Sequence, residues 1–416
     1  MATSSLRRAL FERLFLNLSL LLGLFQVLVW HWWSAVLLGE EGPGLALAIG
    51  VALPLVGANY LAAPVLRRHR RRGGWLGRIA RAYMNLGVVT LLLGMTIAAL
   101  WALFLLPAGL LGMLGASPEA SFGVFRLASV ASVGGVALLL LWGFTVGQAR
   151  VARTQLRIPL PGLAPELSGL RIVQISDLHI GNGLEGSRLA RMVERTNALD
   201  PDVIVLTGDL FDSDPSFVEH GVRMLSGLRA RHGVYAVLGN HDVYTGSDRI
   251  AEALARLAPR LRLLRNELVR LPLVAPLYLA GVEDPGLDWS ARSLEVEGLT
   301  RLAAARPADG PSLLLVHRPE VFEQAARLGF PLVLAGHTHG GQLALPTPGG
   351  RYNLARLVTP LARGLYRSGA SVLYVNRGLG VGGPPLRVNC PREIASFVLE
   401  ASNGDVVKSN GDVVKG

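Results

Sequence analysis

Short apolar segments that end in polar motifs are the feature that most constrains the fold of this chain. The clearest is Leu332–Gln342, where the apolar run Leu332–Ala335 leads into the sequence Gly-His-Thr-His-Gly-Gly-Gln. The run predicts a buried strand that Gly336 ends. If His337 and His339 continue the extended geometry, their side chains fall on one face and both imidazoles point at one place. Two convergent imidazoles are typical of a transition-metal site.

Four other predicted strands end in the same way. They are Ile172–Ser176, Val203–Thr207, Val234–Leu238 and Leu313–Val316. The polar sequences at their ends are Asp177-Leu178-His179, Gly208-Asp209, Gly239-Asn240-His241-Asp242 and His317. Open α/β sheets build ligand sites at the carboxyl ends of their strands. Each motif alone is also typical of a helix start or a tight turn, but the five together favour one shared metal site.

Hydrophobic and basic residues are concentrated in the first third of the chain. The 416 residues are 50% hydrophobic and carry a net charge of +11. The mean hydropathy of +0.39 is above that of ordinary soluble proteins. Residues 1–153 hold 13 Lys/Arg and 4 Asp/Glu, which accounts for +9 of the charge. The single cysteine, Cys390, excludes an internal disulfide and permits a reducing compartment.

Residues 1–153 are predicted to form a four-helix transmembrane region that anchors the chain as a multi-pass membrane protein. The candidate spans are Leu14–Leu38, Gly44–Leu66, Leu86–Leu106 and Leu127–Ala149. Each has the length of about 20 residues that is needed to cross the hydrocarbon of a bilayer. Three tryptophans near one end of the first span, at positions 30, 32 and 33, fit an interfacial aromatic belt.

The distribution of arginines predicts the orientation of these spans. Seven arginines lie between residues 67 and 81, in the loop between the second and third spans, and three precede the first span. The two outer loops carry Glu40, Glu41 and Glu119 and no arginine, although Arg126 borders the second of them. Positively charged loops stay in the cytoplasm. Both termini, and the domain that follows the spans, are therefore predicted on the cytoplasmic side of the inner membrane.

Three alternatives apply to this basic, apolar region. A cleaved signal peptide is disfavoured because the first apolar stretch is long and no small-residue cleavage site stands out. Arg7 and Arg8 could form a twin-arginine export signal, although paired arginines before a first span usually orient it. The run Arg67–Arg72 could bind nucleic acid. Its place between two spans instead favours anionic headgroups, so no nucleic-acid partner is expected.

From residue 154 onward, short strands alternate with helical patterns, which predicts an α/β domain over residues 154–400. Three prolines at positions 159, 161 and 165 predict a linker at its start. Further strands are predicted at Leu277–Val282, Gln342–Leu345, Val372–Val375 and Ile394–Leu399, and helices at Arg188–Leu199, Val218–Arg229, Asp248–Leu257 and Glu320–Leu328. The tail, residues 401–416, repeats Ser-Asn-Gly-Asp-Val-Val-Lys twice and is predicted to be disordered.

The ordered motifs resemble the signature of the calcineurin-like metallophosphoesterase superfamily: D-x-H, G-D, G-N-H-D/E, a lone H and G-H-x-H. The resemblance covers Ile172 to His339. The wider run from Pro159 to Glu400, with I-V-Q-I-S-D-L-H-I-G, A-G-H-T-H-G-G-Q and V-N-R-G-L-G, is similar to the membrane-associated bacterial branch. The resemblance implies an α/β fold of the αββα sandwich type and hydrolysis of phosphoric ester or pyrophosphate bonds.

The resemblance also implies a site for two divalent metal ions. One metal would be held by Asp177, His179, Asp209 and His339, and the other by Asp209, Asn240, His317 and His337. Asp209 would bridge the two ions. Oxygen and nitrogen ligands without a thiolate suit Mn²⁺, Fe or Zn²⁺ and disfavour copper. Such a metal pair activates water and stabilises the attacking and leaving oxygens of an in-line displacement.

Two further residues are candidate catalytic groups. His241 is interpreted as a non-ligand that, when protonated, steadies the phosphoryl oxygens or protonates the leaving alkoxide. Asp212 resembles the carboxylate that orients this histidine in related phosphatases, and such a pairing would raise the imidazole pKa. A helix N-cap is the alternative role for Asp212. Arg377 and Arg387 could bind phosphate bidentately, but contacts with the surface or with headgroups are favoured.

The sequence therefore predicts a membrane-anchored dinuclear metallophosphoesterase. Its expected substrate is a phosphodiester or pyrophosphate on a lipid or nucleotide-sugar lipid, because a four-helix anchor is superfluous for a freely soluble substrate. The alternative is a transport or signalling protein whose phosphoesterase-like domain only binds a ligand or partner. The complete ligand set argues against it. The oligomeric state stays open.

Overall fold

The computed structural model describes residues 20–38, 45–70, 75–113, 115, 117–286, 297–347 and 350–402. The chain divides into two compact units, Met1–Trp142 and Gly143–Gly416. The second unit begins before the predicted boundary at residue 154, and the carbonyl of its first residue, Gly143, accepts a hydrogen bond from the Arg387 amide at 3.3 Å. The predicted disordered tail lies outside the described residues from position 403 onward.

The first unit is helical. Its helices are α1 (residues 20–38), α2 (Leu45–Arg70), α3 (Trp75–Met113) and α4 (Pro118–Trp142). Two segments are long and apolar enough to cross a membrane, Trp75–Phe104 and Phe122–Gly147. They overlap the third and fourth predicted spans.

The first two predicted spans do not reach that length within the described residues. They correspond there to the shorter apolar helices Leu20–Val36 and Gly50–Ala62. Residues 14–19 of the first predicted span lie outside the described part of the chain.

The second unit contains two six-stranded sheets. The first sheet has the order β1-β12-β2-β3-β4-β5, and the second has the order β10-β11-β9-β8-β7-β6. The strands of the first sheet are β1 (Val151–Pro161), β2 (Arg171–Ile175), β3 (Val203–Thr207), β4 (Val234–Val237), β5 (Leu261–Leu263) and β12 (Arg392–Ser402). Those of the second are β6 (Glu267–Arg270), β7 (Tyr278–Gly281), β8 (Ser312–Leu315), β9 (Leu332–Ala335), β10 (Gly364–Ser368) and β11 (Ser371–Val375).

Helices cover the outer faces of both sheets. They are α5 (Gly186–Asn197), α6 (Val218–Leu225), α7 (Asn240–Thr245), α8 (Ser247–Leu257), α9 (Glu297–Ala304) and α10 (Phe322–Arg327). One apolar core, with Val205 and Leu315 at its centre, lies between the sheets. A second core joins the first sheet to α5, α6 and α8, and a third joins the second sheet to α9 and α10. The layers are therefore helix, sheet, sheet and helix, and the predicted α/β architecture is confirmed.

Two local predictions are wrong. The predicted linker is strand β1, which pairs in parallel with β12 from Val151 to Pro161. An edge strand tolerates prolines, because their missing amide donors face away from the sheet. The predicted strand Gln342–Leu345 does not form. Gln342 has a φ of +56°, which interrupts extended backbone, and only isolated bridges follow at Leu343 and Ala344.

Candidate metal centre

Parallel pairing places the five predicted strand ends at one edge of the sandwich. Strands β2, β3 and β4 run parallel in the first sheet, and β8 and β9 run parallel in the second. The two sheets meet directly at this edge: the His337 amide donates to Asp177 Oδ1 at 2.9 Å. The polar side chains that follow the strands therefore converge between the sheets, as the sequence predicts.

The converging side chains form three groups of potential metal ligands. Two of them hold ligands that the resemblance implies: Asp177, His179 and His339 in one, and Asp209, His317 and His337 in the other. Within each group the ligand atoms lie within 4.8 Å of one another. These two groups each combine residues from both sheets, whereas the third, His179, Asp212 and His241, comes from the first sheet alone.

Asp209 lies between the two groups. Its Oδ2 is 3.4 Å from His179 Nε2 and 3.2 Å from His317 Nε2. Its Oδ1 accepts a hydrogen bond from the His241 amide at 2.8 Å, which fixes the carboxylate plane. One carboxylate oxygen thus faces a histidine of each group, which is the arrangement required of a bridging ligand.

The distances between facing ring nitrogens show whether the site fits cations. His179 Nε2 and His339 Nε2 are 3.0 Å apart, and His337 Nδ1 and His317 Nε2 are 3.2 Å apart. Among the described residues, the buried Asn240 Oδ1 has no hydrogen-bond partner. Such a concentration of lone pairs is costly unless protons or cations satisfy it. Neutral imidazole, carboxylate and amide oxygen together fit Mn²⁺, Fe or Zn²⁺.

Two ligand histidines are oriented by hydrogen bonds at their other ring nitrogen. His317 Nδ1 lies 2.9 Å from the Thr207 carbonyl oxygen, and His179 Nδ1 lies 3.1 Å from Asp212 Oδ1. Because those oxygens only accept, each Nδ1 carries a proton, and Nε2 is the ring atom that faces the site. Hydrogen bonds of this kind fix the tautomer and ring orientation of metal-binding histidines.

The electrostatic environment favours the ligand-competent forms of Asp209 and His339. Burial alone would raise the pKa of Asp209, but nearby His317 and His241 outweigh it and hold that pKa well below its ordinary value. Burial and the neighbouring His179 imidazole lower the pKa of His339 well below its usual range. An ionised carboxylate and a neutral imidazole are the forms that bind metals.

Most of the candidate ligands have left-handed backbone conformations. Their φ values are +50° for Asp177, +46° for His179, +52° for Asp209, +74° for His337 and +51° for His339. Such conformations cost about 1–3 kcal/mol per residue and cluster at functional sites. The expectation that His337 and His339 continue an extended strand is therefore wrong. The turn after Gly336 directs each of them to a different ligand group.

His241 lies beside the candidate ligands and is half-buried. Its ring packs edge-on against His179, with 4.7 Å between centroids. Its Nδ1 contacts the Asp212 carbonyl oxygen and is 3.5 Å from Asp212 Oδ1. Burial opposes protonation, but Asp209 and Asp212 outweigh it and raise the pKa of His241 to about 9. These two carboxylates therefore favour the protonated form of the imidazole.

Asp212 contacts more than the one histidine predicted from the sequence. Its carboxylate bonds His179 at 3.1 Å and is farther from His241, whose closest contact is the Asp212 backbone. Burial would raise the pKa of Asp212, but both histidines outweigh it and lower that pKa well below its ordinary value. The N-cap role that was the alternative for Asp212 is filled by its neighbour Asp214. The Asp214 carboxylate accepts a hydrogen bond from the Ser216 amide at 2.9 Å.

Asp242 is a supporting residue that the sequence analysis did not single out. Its buried carboxylate accepts backbone hydrogen bonds from Leu210 at 3.0 Å, Phe211 at 2.9 Å and Gly239 at 2.9 Å. It thereby joins the start of α7 to the loop that carries Asp209. The last position of the motif Gly-Asn-His-Asp is the sequence signal that could have identified it.

Arg377 and Arg387 are not surface residues. Arg387 is fully buried, and its Nη2 donates to the carbonyl oxygens of Arg377 at 2.9 Å and Gly380 at 2.7 Å. Arg377 Nη2 donates to the buried Glu393 at 2.7 Å. The favoured surface or headgroup contacts are therefore wrong for both. These arginines hold the loop after β11 beside the metal centre.

Comparisons with known proteins agree with this geometry. The calcineurin-like phosphoesterase family matches residues 170–341. An uncharacterized metallophosphoesterase from Aquifex aeolicus is 31% identical over 241 residues, which cover 57% of this chain and 87% of that protein. A transmembrane protein with metallophosphoesterase domain from Bos taurus is 33% identical over 264 residues, 60% of this chain and 57% of its own length. A protein of the same description from Danio rerio is 33% identical over 277 residues, which cover 64% of this chain and 61% of that protein.

The family match and the relative from Aquifex aeolicus define the class of protein to which this chain belongs. The chain belongs to the calcineurin-like metallophosphoesterase family. It matches less than two thirds of the length of the two vertebrate transmembrane proteins.

Proposed function

We propose that this chain is a membrane-anchored phosphoesterase with a dinuclear metal centre, and that it hydrolyses a phosphodiester or pyrophosphate bond in a membrane-associated substrate. The position of Asp209 Oδ2 is the observation that supports the metal centre. This oxygen lies within 3.4 Å of a histidine from each ligand group. One metal would be held by Asp177, His179, Asp209 and His339, and the other by Asp209, Asn240, His317 and His337. When bound, such ions supply Lewis acidity and activate water for an in-line displacement.

His241 supplies the proton in this proposal. Its Nδ1 donates to the Asp212 carbonyl oxygen, so the second proton of the imidazolium is on Nε2. Asp209 and Asp212 raise the pKa of the ring, which favours retention of that proton. Nε2–H can therefore steady a phosphoryl oxygen and then protonate the departing alkoxide. Asp212 positions both this ring and that of His179.

The anchor consists of four spans in the proposed topology, with the catalytic domain in the cytoplasm. Two segments that meet the length and apolarity of a span support it, as do the seven arginines between residues 67 and 81. The description of two relatives as transmembrane proteins supports an anchor as well. A reporter that fluoresces only in the cytoplasm, when fused after Glu400, should give a fluorescence signal. Signal from a periplasm-only phosphatase reporter would overturn this orientation.

A lipid or nucleotide-sugar lipid is the proposed substrate class, because an anchored enzyme meets its substrate at the membrane. The rival function is a transport or signalling protein whose phosphoesterase-like domain only binds a ligand. The two functions predict different results in a turnover assay, because only a phosphoesterase hydrolyses a phosphoester. The purified full-length chain with Mn²⁺ should hydrolyse bis(p-nitrophenyl) phosphate and should lose that activity on chelation. An absence of turnover on this ester and on a panel of lipid and nucleotide-sugar phosphates would favour the rival.

A further inference from the structure

Four large apolar side chains are exposed together on a loop that follows the last candidate metal ligands. They are Leu345, Tyr352, Leu354 and Leu357, which are 60%, 58%, 51% and 75% exposed. We call these four residues the apolar rim. Soluble domains seldom leave neighbouring large apolar side chains uncovered, and such patches mark binding surfaces.

Backbone hydrogen bonds hold the apolar rim in place. The Leu345 amide donates to the Tyr352 carbonyl at 2.8 Å, and the Leu354 amide donates to the Leu343 carbonyl at 3.2 Å. Leu354–Leu357 form a short 3₁₀ helix, and the Asn353 side chain accepts from its Arg356 amide at 3.3 Å. The exposure is therefore a property of an ordered element.

The apolar rim lies on the same edge of the domain as the metal centre. The short helix His339–Gly341 leads into it, and the Ala344 amide then donates to the Val388 carbonyl at 3.0 Å. Two residues farther on, Cys390 Sγ contacts the carbonyl oxygen of His339 at 3.3 Å. One loop thus contacts both the rim and a candidate ligand.

The end of a candidate membrane span contacts that same loop. The segment Phe122–Gly147 is one of the two that could cross a bilayer. Its Gly143 carbonyl accepts from the Arg387 amide at 3.3 Å, and the Gln148 carbonyl accepts from Arg392 Nε at 2.6 Å. Strand β1 then starts at Val151, paired with Arg392 at the metal-centre edge of the sheet. The loop therefore contacts both Gly143, near the end of the span, and the segment that carries the apolar rim.

The charges around the rim fit an anionic surface. Residues 343–363 contain three arginines and no aspartate or glutamate. Arg351 is exposed and Arg356 is half-buried beside the apolar side chains. Leucine and tyrosine flanked by arginine are typical of segments that insert into the headgroup region of anionic bilayers.

We infer that the apolar rim docks on the anionic bilayer in which the chain is anchored. Docking places the mouth of the metal centre at the level of the lipid headgroups. The site then takes phosphoesters of membrane lipids without extracting them into water. This choice of substrate class rests on the proposed function, whereas the docking itself does not.

The test uses the full-length chain in lipid nanodiscs and an environment-sensitive fluorophore on an introduced cysteine. Leu354→Cys puts the probe on the rim. Val274→Cys is the matched control: Val274 is an apolar side chain, 81% exposed, in the loop that leads into the amino end of β7, away from the metal-centre edge. Cys390 is buried, and unsubstituted protein treated identically measures background labelling.

In nanodiscs that contain phosphatidylglycerol, the probe at position 354 should emit at shorter wavelength than the probe at 274. Brominated lipids should quench it several-fold more strongly. Equal, water-like emission at the two positions would overturn the inference. A blue shift at 354 without lipid quenching would overturn it too, because a protein segment would then cover the rim.

The experiment can contradict membrane docking without contradicting the proposed function, and it can contradict the proposed function without contradicting docking. Lipid quenching needs no turnover, so it should persist when Asp209→Asn is combined with the labelled position. Quenching without any phosphoesterase activity in the otherwise unsubstituted chain would support docking and contradict the proposed function. Turnover of bis(p-nitrophenyl) phosphate without quenching at 354 would contradict docking alone.

Discussion

The two sheets of the catalytic unit contribute different chemistry to the same site. Loops of the first sheet supply every carboxylate and the amide, through Asp177, Asp209 and Asn240, together with His179. Loops of the second sheet supply only imidazoles, from His317, His337 and His339. The first sheet therefore carries the negative charge of the site, and the second completes it with imidazoles.

This difference shows why the site depends on how the sheets pack. The two groups that hold the implied ligands each take at least one residue from each sheet. One oxygen of Asp209, on the first sheet, faces an imidazole of both groups. Substitutions of the first-sheet carboxylates should thus change charge and metal bridging, and truncations in the core between the sheets should lower stability more than turnover.

The largest effect is expected from Asp209→Asn, which removes the shared negative charge. Turnover of bis(p-nitrophenyl) phosphate should be abolished, and metal content should fall. Asp248→Asn, at an exposed carboxylate, is the matched control. Metal analysis and activity assays on both variants check this prediction. Wild-type metal content with wild-type activity in Asp209→Asn would refute the bridging role.

His241→Ala should have the next largest effect, because it removes a proton donor and no ligand. General acids contribute about 10²–10⁴-fold to rate, most for poor leaving groups. Activity should therefore fall severely on alkyl phosphoesters and less on p-nitrophenyl esters, with metals retained. His232→Ala substitutes a histidine outside the site as the control. Loss of metal from His241→Ala to the extent seen in His337→Ala would make His241 a ligand instead.

Asp212→Asn should have an intermediate effect. The variant keeps the shape of the side chain but loses the charge that orients His179. Loss of such a supporting partner typically lowers metal affinity about 10–100-fold. Competition with a chelator measures that affinity. Asp214→Asn, two residues along the chain, should leave it unchanged, and equal losses in both variants would mean that Asp212 acts only on local folding.

Leu313→Ala should have the smallest effect on turnover. Leu313 is fully buried in the core between the sheets, and Leu→Ala at such sites costs about 2–5 kcal/mol. The midpoint of thermal inactivation should fall, while turnover per folded molecule below that midpoint stays near wild type. A large loss of turnover without loss of stability would mean that the core side chains set the ligand geometry directly.

The strand ends could be predicted from the sequence because each combines an apolar run with a polar motif. The prediction located Val203–Thr207 and Leu332–Ala335 as the structure has them. Parallel pairing then brings the motifs together. The division of His337 and His339 between two groups came from the family resemblance and not from the strand pattern, because it depends on left-handed turns that periodicity does not report.

Other features depend on contacts that are distant in sequence. Proline-rich β1 is a strand because β12, more than 200 residues later, pairs with it. The buried positions of Arg377 and Arg387 likewise depend on Glu393 and on backbone carbonyls that folding brings near. A single sequence read by local pattern contains no signal for such pairings.

The central claim is that two cations share Asp209 in the active enzyme. The most direct test is metal analysis of the full-length chain, titrated with Mn²⁺ after chelation, while turnover of bis(p-nitrophenyl) phosphate is followed in the same samples. The account predicts two tightly bound ions per chain at full activity. Full activity with one ion per chain, or with none, would contradict it.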